Sequence, residues 1–113
     1  MPLLVLAVCG LLPLAAQRVE FRKAESVFAQ ARKMEIAGQT ASAIEKFSEA
    51  IKLAPDFASA YRHRGKLEAA IGKDKEALRD FNDALRLQPD DAEGYALRAD
   101  LLLRMNEAEK AVP

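Results

Sequence analysis

The stretch GQTASAIEKFSEAIKLAP, residues 38–55, returns as GKDKEALRDFNDALRLQP at residues 72–89. Six landmarks recur 34 residues apart: Gly38 with Gly72, Ala43 with Ala77, Phe47 with Phe81, Ala50 with Ala84, Leu53 with Leu87 and Pro55 with Pro89. Between glycine and proline the apolar residues fall three and four apart, the period of one face of a helix. Each landmark has a physical task. The glycines stand where a helix ends and the chain reverses, which favours a left-handed residue. The prolines close the helix, because proline cannot continue it. The alanines are small enough for helices to approach closely, and the phenylalanines and leucines fill the space between them.

The register extends outward on both sides. Asp56, Ala58, Tyr61, Arg64 and Leu67 return as Asp90, Ala92, Tyr95, Arg98 and Leu101. Asp56 and Asp90 are expected as N-caps of the helices that follow them. In a third copy the place of the glycines falls to Asn106, which also tolerates the left-handed region. The pattern predicts helices over about 18–37, 41–53, 57–71, 75–87 and 91–105, with boundaries loose by roughly 2–4 residues. Glu107 to Val112 would then begin a further, unfinished helix. Arg64 and Glu68, four apart on one helix, are expected to pair with each other.

A 34-residue helix–turn–helix unit with these landmarks resembles the tetratricopeptide repeat. The resemblance covers residues 17–113, with repeats at about 24–57 and 58–91 and a partial one at 92–113. It departs from the pattern at Val27, where the other copies have Tyr61 and Tyr95, and at Glu68, where a large core residue is usual. It implies an all-α fold, an α-α superhelix of antiparallel helix pairs forming a short right-handed solenoid. It also implies a non-catalytic scaffold or adaptor that binds a protein or peptide in a concave groove lined by the first helix of each unit. On matching positions the groove residues would be Phe28, Arg32, Arg62, His63, Lys66, Leu97 and Asp100. Arg32, Arg62, His63 and Lys66 would make its centre modestly positive, with Glu25, Glu35 and Glu93 toward its borders. Family members that hold the acidic C-terminus of chaperones grip it with lysine, asparagine and arginine. Those places here carry Phe28, Arg32, His63, Glu93 and Leu97, so that partner is not expected.

Composition points the same way. Among 113 residues, 17 basic and 17 acidic side chains cancel, which gives no reason to expect nucleic acid as a partner. The one cysteine, Cys9, leaves neither an intrachain disulfide nor a cysteine-based metal cluster. His63 is the one histidine, without companions for a metal site or partners for acid–base work, and is expected to be solvent-exposed. The five glycines are dispersed, so no phosphate-binding loop forms. No cofactor and no catalytic residue is expected.

Residues 1–16 form a separate object. The apolar run from Leu3 to Leu14, interrupted by Gly10 and Pro13, is shorter than the roughly 20 residues of a membrane helix. It matches the hydrophobic region of a secretory signal, with Ala15 and Ala16 as the place of cleavage, although no lysine or arginine precedes it. Export is therefore the expectation. An uncleaved anchor, an apolar helix packed on the repeats in a cytoplasmic protein, and a lipoprotein box ending at Cys9 are alternatives, and a membrane is a partner only if the leader stays. At the other end, Leu97, Leu101, Leu102, Leu103 and Met105 make the last first-helix apolar over much of its surface. This suggests a longer array, self-assembly into a homo-oligomer, or an accessory role in a larger complex through that face.

Overall fold

The computed structural model describes residues 13–111, and five helices follow one another there without a strand. They are α1 (Leu14–Ile36), α2 (Thr40–Leu53), α3 (Ala58–Ala70), α4 (Asp74–Leu87) and α5 (Ala92–Ala111). Neighbours pack in chain order as antiparallel hairpins, α1 with α2 and α3 with α4, while α2 bridges to α3, and α5 closes against both α4 and α3. The radius of gyration is 16.3 Å. A compact chain of this length would have about 13 Å, so the hairpins stack along a line rather than around one centre.

The reversals repeat atom for atom. After α1, Gly38 takes φ 78°, and the Gln39 N–H donates to the Met34 carbonyl at 2.9 Å. After α3, Gly72 takes φ 82°, and the Lys73 N–H donates to the Glu68 carbonyl at 2.8 Å. Both close the last turn by bonding back over five residues, which requires a left-handed residue and hence glycine. Tyr61 Oη donates to the Pro55 carbonyl at 2.8 Å and Tyr95 Oη to the Pro89 carbonyl at 2.8 Å, pinning each first helix to the turn before it. Val27 cannot make this bond and packs among the apolar side chains of the first hairpin instead.

The small and aromatic landmarks are the core. Ala43, Phe47, Ala50, Ala77, Phe81 and Ala84 are all buried. Phe47 of α2 lies among Ala31 of α1 and Ala60 of α3, and Phe81 of α4 lies with Leu101 of α5, so each second helix is held between two first helices. Gly65 lets α3 and α4 close up: a Cβ there would stand 2.7 Å from the Phe81 ring.

Three local expectations are corrected. Arg64 does not pair with Glu68. Its guanidinium reaches across the hairpin to Asp80, Nε to Oδ2 at 2.8 Å and Nη2 to Oδ1 at 2.7 Å, and Nη1 donates to Ser48 Oγ at 3.0 Å. Asp80, facing Arg64 across the hairpin, accepts both prongs of the guanidinium, the strongest arrangement open to such a pair. Asp56 and Asp90 are not caps, because they occupy the turns behind the prolines: α3 starts after Phe57 without a side-chain cap. At α5 the neighbouring Asp91 accepts from the backbone N–H groups of Glu93 and Gly94. Asn106 does not reverse the chain, and α5 runs through it to Ala111. Asparagine permits the left-handed region without demanding it, and Glu107, Ala108, Glu109 and Lys110 are good helix formers. The first helix, α1, begins at Leu14, within the looseness expected of the helix boundaries, and takes in Ala15 and Ala16. The rest of the leader, including Cys9 and most of the Leu3–Leu14 run, lies outside the described residues, as do Val112 and Pro113.

Candidate functional site

The first helices α1, α3 and α5 meet side by side on one face. At the α1–α3 end, Phe28 is half-buried, stacked on Phe57 with ring centroids 4.8 Å apart, and it meets His63 edge-on at 5.5 Å. Arg32 donates from Nη1 to Glu35 Oε1 at 2.9 Å and lies 3.5 Å from His63 Nδ1. His63 is buried rather than exposed, 8% accessible, because its ring stacks on Phe47 at 5.5 Å and its Nδ1 sits 3.1 Å from Glu35 Oε1. Burial pushes the imidazole below its ordinary value, with Glu35 opposing the shift and Arg32 and Arg62 adding to it. His63 is thus a neutral plug in the seam between the repeats.

At the α3–α5 junction, Arg62 Nη1 donates to Asp91 Oδ2 at 2.8 Å, and its Nε lies 3.8 Å from Glu93 Oε2. The Arg62 bond, against a smaller burial penalty, holds the Asp91 carboxyl below the usual carboxylate range, and the N–H groups of α5 add to it. Lys66 Nζ lies 3.7 Å from Glu93 Oε1. The expected positive centre is therefore not formed. Glu35, largely covered, pairs with Arg32, and Glu93, exposed at the border, lies within 4 Å of both Arg62 and Lys66.

Between α3 and α5 lies a crevice of about 220 Å³, with Leu97, Leu101, Phe81 and Ala69 as apolar lining and Lys66, Asp100 and Arg104 as charged lining. It gathers three of the expected residues, Lys66, Leu97 and Asp100. Phe28, Arg32 and His63 form a separate cluster, and Arg62 stands at the N-terminus of α5. Arg104 donates from Nη2 to the Ala69 carbonyl at 3.0 Å and to Asp74 Oδ1 at 2.7 Å, tying α5 to the α3–α4 turn. Phe57, Asp91 and Leu101 were missed as groove-side residues. An aromatic immediately before a helix start is the one local sign that pointed to Phe57. Among the described residues no group of three histidine, cysteine or carboxylate side chains is placed to hold a metal ion. No helix there is long and apolar enough to cross a membrane.

No protein-family model and no curated protein matches the sequence. Solved structures do. The TPR2B domain of yeast Sti1, in a complex with pHsp70, aligns with a TM-score of 0.73 at 26% identity, covering 80% of this chain and 72% of that one. The chain has the fold of tetratricopeptide repeats. The TPR2AB domain of yeast Sti1, in a complex with pHSP90, aligns with a TM-score of 0.72 at 26% identity over 80% of this chain and 35% of that one. The second TPR of Spaghetti (RPAP3), bound to the HSP90 peptide SRMEEVD, gives a TM-score of 0.76 at 24% identity over 86% of this chain and 92% of that one. In these terms α1–α2 and α3–α4 are two complete repeats, and α5 is the first helix of a third.

Proposed function

We propose that this tetratricopeptide-repeat chain is a non-catalytic scaffold that holds a peptide segment of another protein along the face made by α1, α3 and α5. The crevice between α3 and α5 carries the reading: an apolar slot between first helices, rimmed by charges whose partners lie largely within the protein. The likeness to Sti1 domains in complex with pHsp70 and pHSP90 supports a peptide as the ligand. The chemistry of that peptide differs. A carboxylate clamp needs free cations, yet Arg32 is held by Glu35, His63 is buried, Glu93 is acidic and Leu97 is apolar. The ligand for this face is a segment that places an apolar side chain against Leu97 and Leu101, with polar contacts at the rim adding little.

Fluorescence anisotropy on peptides selected against the purified chain tests this. Selected peptides carry an apolar anchor, and Leu97→Asp weakens them by about tenfold or more. The SRMEEVD peptide serves as the contrast and does not bind. Tight binding of SRMEEVD, or indifference of all ligands to Leu97→Asp, overturns the reading. Export through the leader belongs to the same proposal. It rests on the apolar run and the Ala15-Ala16 pair, and mass spectrometry of the mature protein is expected to find an N-terminus near Gln17. An intact Met1 in the cytosolic fraction refutes it.

A further inference from the structure

Three first-helix residues share one place in the 34-residue register: Arg32 of α1, Lys66 of α3 and Asp100 of α5. The sign of the charge changes at the third. Both cations are already matched, Arg32 by Glu35 at 2.9 Å and Lys66 by Glu93 at 3.7 Å. Asp100 is exposed and has no hydrogen-bond or ion-pair partner among the described residues. Arg104 stands four residues on, within reach along the helix. It turns instead to Asp74 at 2.7 Å and to the Ala69 carbonyl at 3.0 Å. Asp100 also lines the crevice, beside Leu97 and Leu101. Every wall of that crevice comes from α3, α4 or α5, so it belongs to the described repeats themselves. Of the three charged side chains that line it, the two cations are occupied and the carboxylate is unmatched.

We infer that the peptide held in this crevice is basic: it seats one large apolar side chain against Leu97 and Leu101, and it sets a lysine or arginine, within two residues of that anchor, against Asp100. The inference rests on the groove reading above and names the partner's chemistry. The crevice, at about 220 Å³, is smaller than the roughly 300–1,000 Å³ of small-molecule pockets and suits a single side chain. Asp100 lies one helical turn from Leu97 and next to Leu101, so a cation that meets it must stand close to the anchor. In an extended segment the residue two positions away points to the same side, about 7 Å along. A lysine or arginine stem spans that offset. An acidic segment is disfavoured twice. It brings like charge to Asp100, and it can recruit Lys66 or Arg104 only by breaking their pairs with Glu93 and Asp74. A single pair at an open rim adds little to affinity, but like charge in its place is penalised. Asp100 thus acts on the choice of ligand more than on the tightness of binding.

A phage-displayed library of random peptides, panned on the intact chain, supplies the test. Recovered peptides are expected to carry lysine or arginine within two residues of the apolar anchor. In fluorescence anisotropy Asp100→Asn weakens them about two- to fivefold, the range of one exposed ion pair. Asp100→Lys weakens them about tenfold or more. Glutamate in place of the peptide's basic residue lowers affinity for the parent and restores it for Asp100→Lys. Circular dichroism of both variants stays that of the parent, since Asp100 is exposed on α5. Leu97→Ser removes the seat of the anchor without adding charge. It weakens both forms of the peptide alike and so reports on the groove reading. Peptides that need Leu97 but show no basic preference, or that bind Asp100→Lys as well as the parent, overturn this inference and leave the groove reading standing. Peptides indifferent to Leu97→Ser, or a library that yields none, overturn both.

Discussion

In the α1–α2 hairpin, Gln30, Ala31, Met34 and Lys46 stand where the α3–α4 hairpin has Arg64, Gly65, Glu68 and Asp80. The backbone path is the same in both, yet the seams differ in kind. Met34 packs against the cluster of Ala31, Phe47 and Ala60, and Lys46 turns to the surface to pair with Glu49 at 3.2 Å. In the second hairpin the seam holds ions: Asp80 is 2% exposed under the Arg64 fork, and Glu68 is 8% exposed with its Oε1 unpartnered. The small and aromatic landmarks thus set the geometry alone. The residues between them are free to be apolar or charged provided that each charge finds a partner.

The largest difference between the hairpins should come from cutting that partnership. Asp80→Ala leaves the Arg64 guanidinium, half-sunk in the seam, without its carboxylate, and should cost about 3–5 kcal/mol in denaturant unfolding. Lys46→Ala, at the same repeat position, removes only a surface pair and should cost less than about 1 kcal/mol. Equal costs would mean that the two seams are energetically alike and that the comparison is empty.

A smaller contrast is in pH. Burial first, and then the hydrogen bond and charge of Asp80, push the Glu68 carboxyl up to about 8, with Arg64 opposing and Glu76 adding. The folded chain therefore keeps a proton that the unfolded chain releases near the ordinary glutamate value. The contribution of this group to stability is full below that value and is lost as pH rises through about 8. Met34 in the first hairpin has no such dependence. Glu68→Gln retains a donor for Asp80 and should flatten the fall in stability between pH 5 and pH 8.5, by up to about 3 kcal/mol. Urea titrations of both proteins across that range provide the measurement, and parallel curves would show that Glu68 is ionised in the fold.

These contrasts mark where sequence reading succeeds. Gly38, Gly72, Pro55, Pro89 and the alanine–phenylalanine–alanine spacing are local signals, each tied to a backbone requirement or a helical period, and together they place the helices to within a few residues except at the end of α5. Pairings across hairpins are different. Spacing four apart suggested Arg64 with Glu68, whereas the partner is Asp80, 16 positions away and within reach only once the turn at Gly72 has formed. His63 looked exposed because its position on α3 faces the groove. It is buried because Phe28, Phe47 and Glu35 come from α1 and α2 to cover it. The groove cations were legible as residues, but their neutralisation by Glu35, Asp91 and Glu93 was not, since it depends on where neighbouring repeats stop and start.

The finest contrast separates two bonds of equal length. Tyr61 and Tyr95 each donate to the carbonyl of a proline six residues earlier, both at 2.8 Å. Tyr61 is 9% exposed, held between the first repeat and α4, while Tyr95 is 44% exposed. If the bond alone mattered, Tyr61→Phe and Tyr95→Phe would cost the same. Yet an acceptor that loses its donor in a covered site stays desolvated, whereas one at an open site recovers a water. Burial is also the leading reason that the Tyr61 hydroxyl titrates above its ordinary value. Tyr61→Phe should therefore cost about 1–1.5 kcal/mol and Tyr95→Phe about 0.5 kcal/mol or less. Equal losses would put the stabilisation in the hydrogen bond itself.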